Sequence, residues 1–371
     1  MIFNLIVIIT ILISGHLYSK GTSLYVDSNY NRKKYIKFIS IILIIQSGFR
    51  NVAVGADTYA YYSSFEGIKR TSWIQIWSIL TDYYSQDIGK DPGYYVLQKI
   101  IQIMFPNFQI FLLLIAILFF SALGGFIYKN TSKLSHAIFA FVLYSCLFYN
   151  FFSITGLRQT IATAATLYSF ELIKKKKLFP FLILILLAST IHKSSLVFLP
   201  FYFIANIKST KFVYGVTLLS FPVVFTYMEP INNFLKKAGG YDQYDKFAGA
   251  GAYTFTIMLL LVAIVSWWRI KPVLYFHKEA KLFYNAFALA IFLTPLTFIN
   301  QSSMRIVQYF SIFLLVLLPA VIQSFQLLSS QTKKIIFSFA IVLLVTLTIR
   351  SNWNEEYKFF WQTMELGENY K

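Results

Sequence analysis

The chain has 371 residues and a net charge of +18; 57% of its residues are hydrophobic and only 13% are charged. Soluble domains are roughly 25% charged, so this balance, with a mean hydropathy of +0.61, excludes an ordinary cytosolic enzyme. The single Cys146 excludes a disulfide scaffold and a Cys-rich metal site, and the excess charge lies in short connectors, not on the solvated basic face that nucleic acid needs.

Taken in chain order, apolar runs occupy residues 2–18, 35–49, 108–128, 136–154, 157–173, 178–191, 195–206, 212–228, 252–268, 283–299, 305–325 and 335–349. A bilayer core takes about 20 apolar residues of helix. The expectation is therefore an all-α, polytopic integral membrane protein with about 12 transmembrane helices, several short or broken, in a single membrane domain spanning 1–371. Met1 to Tyr18 lacks a basic leader and a small-residue cleavage site, and reads as a retained helix. The connectors 19–34, 129–135, 174–177, 207–211, 269–281 and 326–334 are basic, most of all Lys174 to Lys177. Positive connectors stay cytoplasmic, which places both termini and a tail at 351–371 outside.

Between the second and third runs lies a long outward segment, 50–107. Its stretch Ser72 to Tyr84 sets Trp73, Ile76, Trp77 and Leu80 at helical spacing, the pattern of a helix lying on the membrane interface. Farther on, the apolar stretch 178–206 is interrupted by His192, Lys193, Ser194 and Ser195. This break is either a tight hairpin at the membrane surface or a broken helix, which is tolerated only inside protein or along a wet cavity.

The basic residues divide by type. Of seven arginines only Arg32 and Arg269 fall on the cytoplasmic side; Arg50, Arg70, Arg158, Arg305 and Arg350 fall outside, most at the outer ends of predicted spans. Topology alone does not separate arginine from lysine. The guanidinium grips phosphate or carboxylate through a planar fork and stays charged when desolvated. Arg50, Arg158 and Arg305 together point to an anionic ligand at the outer leaflet. Arg158 and Gln159 open their helix at its positive end, which favours an anion further.

Around these arginines stand Gly55 as a turn residue, Asp57 as a potential helix cap, and Tyr59, Tyr61 and Tyr62. Asp91, Pro92, Gly93 and Tyr94 begin the next helix. Clustered Asp, Asn and Tyr suit carbohydrate hydroxyls and ring faces, although tyrosines also populate interfacial belts. Glu66, Asp242 and Asp245 read as solvated loop residues or as acceptor contacts.

At these residues the chain resembles the EpsG family, one of the Wzy-like polymerases of bacterial surface polysaccharides. The motifs are Phe49-Arg50-Asn51 with Gly55-Ala56-Asp57-Thr58-Tyr59, Asp91-Pro92-Gly93-Tyr94, Leu157-Arg158-Gln159 with Ile161-Ala162, and Ile191-His192-Lys193-Ser194-Ser195 with Leu199-Pro200. Asp91 stands where the family pattern has glutamate, and Ile191 where it has phenylalanine. The resemblance implies transfer of an oligosaccharide repeat unit between polyprenyl-diphosphate carriers on the outer face of the bacterial cytoplasmic membrane, building O-antigen, capsule or exopolysaccharide. It also implies a flippase and a chain-length regulator as pathway partners.

The residues permit that chemistry. A lipid diphosphate is a good leaving anion, so positive charge placed where its charge develops supplies most of the catalysis; no metal or other cofactor is expected. The acceptor hydroxyl needs a base, and His192 and Asp57 are the two candidates. Arg158 completes the expected catalytic set, with Arg50, Arg305, Gln159, Tyr59, Asp91 and Tyr94 as expected contacts to diphosphate or sugar. A ligase of the same chemistry, a flippase of lipid-linked sugar and a membrane acyltransferase are the alternatives.

Overall fold

The computed structural model describes residues 2–20, 28–86, 89–239, 253–298, 303–325, 329–351 and 356–363. Asp242 and Asp245 lie outside them. Among the described residues the fold is all-helical, with one isolated antiparallel bridge between Arg50 and Phe359. All twelve apolar runs fall on helices, but only five helices are long and apolar enough to cross a membrane alone. They are Ile2–Ser19, Phe108–Asn130, Tyr253–Phe276, Ala280–Phe298 and Gln331–Arg350; a pair bent by 47°, Met304–Ser311 with Leu314–Gln323, makes a sixth.

The chain forms two compact units. The first comprises Met1–Ser169, Leu187–His192 and Phe337–Lys371, and the second Phe170–Leu186 with Lys193–Ile336. In the first, α1 (Ile2–Lys20) and α2 (Ser28–Gly48) pack on α6 (Phe108–Asn130) and α7 (Leu134–Leu147). The α2–α6 contact depends on absent side chains. A Cβ at Gly124 would sit 2.6 Å from Ser40 Oγ, and one at Gly48 would sit 3.0 Å from the Leu113 backbone. Small residues of this kind are how helices approach closely where no hydrophobic force separates them from lipid.

The segment between α2 and α6 carries α3 (Thr58–Lys69), α4 (Trp73–Gln86) and α5 (Pro92–Met104), packed on one another. Ile76 of α4 is buried, whereas Trp73, Ile74 and Trp77 are exposed, so the helix has one inward residue row and an apolar outer surface. Under α3 and α5 lies a core of Phe65, Tyr94, Phe108, Phe111, Leu157 and Ile161. A single π-helical turn, Asn150–Thr155, then leads to α8 (Leu157–Lys174), and α9 (Leu178–Ile191) stops one residue before His192.

In the second unit a 3-10 turn (Lys193–Phe198) and α10 (Phe201–Ala205) are followed by α11 (Thr210–Thr226), α12 (Met228–Gly239) and α13 (Tyr253–Phe276). The central element is α14 (Ala280–Leu293), which touches α10, α11, α13, α15 (Met304–Ser311) and α16 (Leu314–Gln323). Asn285 of α14 donates to the carbonyls of Ile204, Ala205 and Ile207 at 3.0–3.2 Å, satisfying the acceptors that α10 leaves open at its end. α17 (Ser330–Ser351) returns the chain to the first unit.

Candidate active site

The site forms where four pieces of the first unit meet: the start of α5, the start of α8, α3 and the residue after α9. Pro92 occupies the first helical position of α5, where its missing N–H costs nothing. Asp91 precedes it in the left-handed region, with φ 51°, a conformation that Asp and Asn tolerate far better than longer side chains. That gives a local reason for aspartate here in place of glutamate. Its carboxylate is fully buried and accepts from Arg158 Nη1 at 2.8 Å. The same oxygen, Oδ2, lies 3.3 Å from His192 Nδ1.

Two residues of α5 make this possible. Gly93 lies flush against Thr190: a Cβ there would overlap the threonine side chain and reach 2.9 Å from its backbone carbonyl carbon. Thr190 is two residues before His192, so glycine at 93 sets how closely α5 approaches the histidine. Tyr94 is buried, with its ring edge-on to Tyr61 of α3 at 5.8 Å. The Arg158 guanidinium lies over both rings, 5.8 Å from Tyr61 and 6.0 Å from Tyr94. Stacking on aromatic faces suits the planar, weakly hydrated guanidinium better than an ammonium.

Arg158 remains available to a ligand. Its side chain is 21% exposed, and its buried Nε has no hydrogen-bond partner in the structure. Asp91 therefore holds one arm of the fork and Tyr61 is a second hydrogen-bond partner, while the exposed part of the side chain is what a ligand can reach. His192 is buried. A carboxylate accepting from Nδ1–H leaves the imidazole lone pair on Nε2, the tautomer that a general base uses. Gln159 is buried beside Arg158, and Tyr59 packs on Tyr62 at 5.9 Å.

Two expectations change. Asp57 occupies the N-cap position of α3 but makes no capping hydrogen bond. Its φ −108° and ψ −5° are helical, whereas a capping residue uses extended backbone to bring its oxygen over the first turn. Arg50 was expected to grip ligand, yet its side chain has no exposed surface. It donates to Ser47 O at 2.5 Å and Ile154 O at 3.3 Å, and Thr58 Oγ1 donates to the same Ile154 carbonyl at 3.1 Å. Burial pulls the Arg50 guanidinium down to about 10, still charged at neutral pH. The geometry makes it a chain-holding residue that ties the end of α2 to the π-turn before α8.

The C-terminal segment 356–363 sits against this same place. Asn51 N donates to Lys358 O and Phe360 N to Phe49 O, each at 2.9 Å. Tyr357 stacks on Phe3 at 4.5 Å and donates to Gln46 O at 2.5 Å. Nothing in the sequence pattern pairs these stretches. Arg305 lies in α15 of the second unit, half-buried. Among the described residues no three His, Cys, Asp or Glu side chains come together as a metal ion would need.

A family model matches residues 33–363. The chain belongs to the EpsG family. Membership makes it a membrane protein of polysaccharide biosynthesis, and the matched region includes every residue of the Asp91, Arg158 and His192 constellation. No curated protein and no solved structure matches the chain.

Proposed function

We propose that the chain is a polymerase that joins oligosaccharide repeat units carried on polyprenyl diphosphate, at the outer face of the bacterial cytoplasmic membrane. The observation that supports this reading best is the buried carboxylate of Asp91 shared by Arg158 and His192. In the reaction an acceptor hydroxyl oxygen attacks the anomeric carbon of the donor sugar, and the bond from that carbon to the diphosphate oxygen breaks. The hydroxyl proton passes to Nε2 of His192, and the leaving diphosphate takes the electron pair. Arg158, through the donor it does not spend on Asp91, stabilises the charge that develops there. Asp91 holds both groups and is a positioning residue.

Gln159, Tyr59 and Tyr94 contact sugar in this scheme, and Arg305 is an anion contact of the second unit. Asp57, its carboxylate unspent on capping, orients the acceptor. The orientation that goes with it has about twelve crossings, Lys174 to Lys177 in the cytoplasm and both termini outside. Lipid-linked oligosaccharide, the bilayer, a flippase and a chain-length regulator are the partners.

The test is the surface-polysaccharide ladder of a deletion strain complemented with wild-type or Arg158→Ala chain. A polymerase yields a single capped repeat on deletion, full length with wild type, and no extension with the variant. Loss of all lipid-linked sugar outside the cell would instead identify a flippase, and an unchanged ladder would refute the proposal.

A further inference from the structure

Among the buried side-chain oxygens of the second unit that have no hydrogen-bond partner, three lie close together in the fold: Ser195 Oγ, Gln308 Oε1 and Ser311 Oγ. Ser195 and Ser311 are 0% exposed and Gln308 5%. A buried polar group left alone bears its full desolvation penalty, and such groups are few in folded proteins. These three are grouped on α15 and on the 3-10 turn that touches it.

The apolar back of α15 fixes the helix. Phe310 stacks on Phe198 at 5.5 Å and meets Phe201 edge-on at 5.8 Å. On the other side Arg305, Gln308 and Tyr309 fall at i, i+3 and i+4, the spacing of neighbours on one face; Ser311 follows Gln308 by three. Tyr309 OH and Ser194 Oγ are 3.2 Å apart, which joins the face to the turn carrying Ser195.

We infer that this face of α15, with Ser194 and Ser195, is a subsite for a neutral polyhydroxyl group, the sugar portion of the lipid-linked substrate. The inference rests on the polymerase reading above and deepens it. The chemistry is that of hydroxyls and an amide, each able to donate or accept, beside an aromatic ring whose face suits the C–H side of a pyranose. A metal would call for carboxylates, and the set contains none. A diphosphate would call for cations converging on one point, whereas the three unmet atoms are an amide oxygen and two hydroxyls, with Arg305 on α15 and Lys193 at the start of the turn.

The experiment uses full-length detergent-purified protein and the lipid-linked repeat unit extracted from the deletion strain. Two competitors are titrated: the oligosaccharide freed from that unit by mild acid, and polyprenyl diphosphate. In Gln308→Ala and in the Ser195→Ala/Ser311→Ala double variant, inhibition by the free oligosaccharide should weaken about tenfold or more. Inhibition by polyprenyl diphosphate should stay within about twofold. The melting temperature of the empty double variant should be unchanged or raised, because unmet buried hydroxyls are removed.

Unchanged oligosaccharide inhibition in both variants would mean that the oxygens hold only water, and would overturn the subsite alone. A melting temperature several degrees lower, with equal loss for both competitors, would make the groups structural and overturn it also. A wild-type chain inhibited by neither competitor would overturn the polymerase reading and the subsite together.

Discussion

At Asp91 a carboxylate without exposed surface holds an arginine and a histidine that stand 67 and 101 residues away in sequence. Removing one member of such a buried set leaves charge uncompensated, typically at 3–5 kcal/mol. Asp91→Asn is the clean variant, because asparagine keeps the left-handed backbone and loses only the charge. It should abolish polymer extension and lower the melting temperature, both read on purified protein. Arg158→Lys should fail nearly as badly as Arg158→Ala, since a point charge cannot hold Asp91 and the ligand with one fork. At roughly 1.5–3 kcal/mol for a charged contact, turnover should drop by about 10- to 100-fold; full polymer length with lysine would remove Arg158 from the site. His192→Ala should lose roughly 10²–10⁴-fold, the usual worth of a positioned proton acceptor, while donor binding survives. The sequence marked Arg158 and His192 because charge among apolar runs is costly. Asp91 was expected at the site as a contact to ligand; that it would hold Arg158 and His192 was not legible, because only the fold brings α5, α8 and the end of α9 to one oxygen.

Elements carry a different part of the function. Pro92 and Gly55 announced the start of α5 and the turn before α3, as their backbone restrictions require, and Gly55 takes φ +96°. The closeness of α5 to α9 was not announced, since nothing local in Asp91-Pro92-Gly93 says that Thr190 lies against it. Gly93→Ala should therefore separate Asp91 from His192. Overpacking of this kind costs about 1–3 kcal/mol, and the expected result is lost extension with protein still recoverable from the membrane. Arg50→Ala should do the reverse of Arg158→Ala. It strips the Ile154 and Ser47 carbonyls of a buried charged donor, so yield and melting temperature should fall before any change in KM for the lipid-linked donor. If Arg50→Ala instead accumulates normally with a raised KM, Arg50 contacts ligand after all.

For the molecule as a whole, hydropathy located the helices but could not count the crossings. Leu134–Leu147, Leu178–Ile191 and Thr210–Thr226 have 14, 14 and 17 residues, about 21–26 Å at ~1.5 Å per residue, short of a ~30 Å core. Where α9 breaks, the buried His192 and Ser195 place the interruption inside protein. Nor did composition reveal that the chain divides into two units through α8, α9 and α17. Single cysteines test the orientation, placed in a Cys146→Ser background. One at Lys175 should resist an impermeant maleimide in intact cells, and one at Ser85 should react. Labelling at 175 would reverse the sidedness and remove the outer-face site with it.

The pairing of Phe49, Arg50 and Asn51 with Lys358, Phe359 and Phe360 also sets a schedule for biogenesis. The ribosome delivers the two partners some three hundred residues apart, with the whole second unit made in between. Once Ile154 has emerged the Arg50 region still waits for residues 358–360, and Phe3 waits for Tyr357. The first unit to be synthesised is thus the last to be finished. A membrane quality-control protease that senses unsealed polar groups would find this chain vulnerable until residues 356–363 emerge. A stop codon just before Glu356 should accordingly shorten the half-life of the protein in the membrane far more than the loss of so few residues would suggest, as pulse-chase labelling would measure.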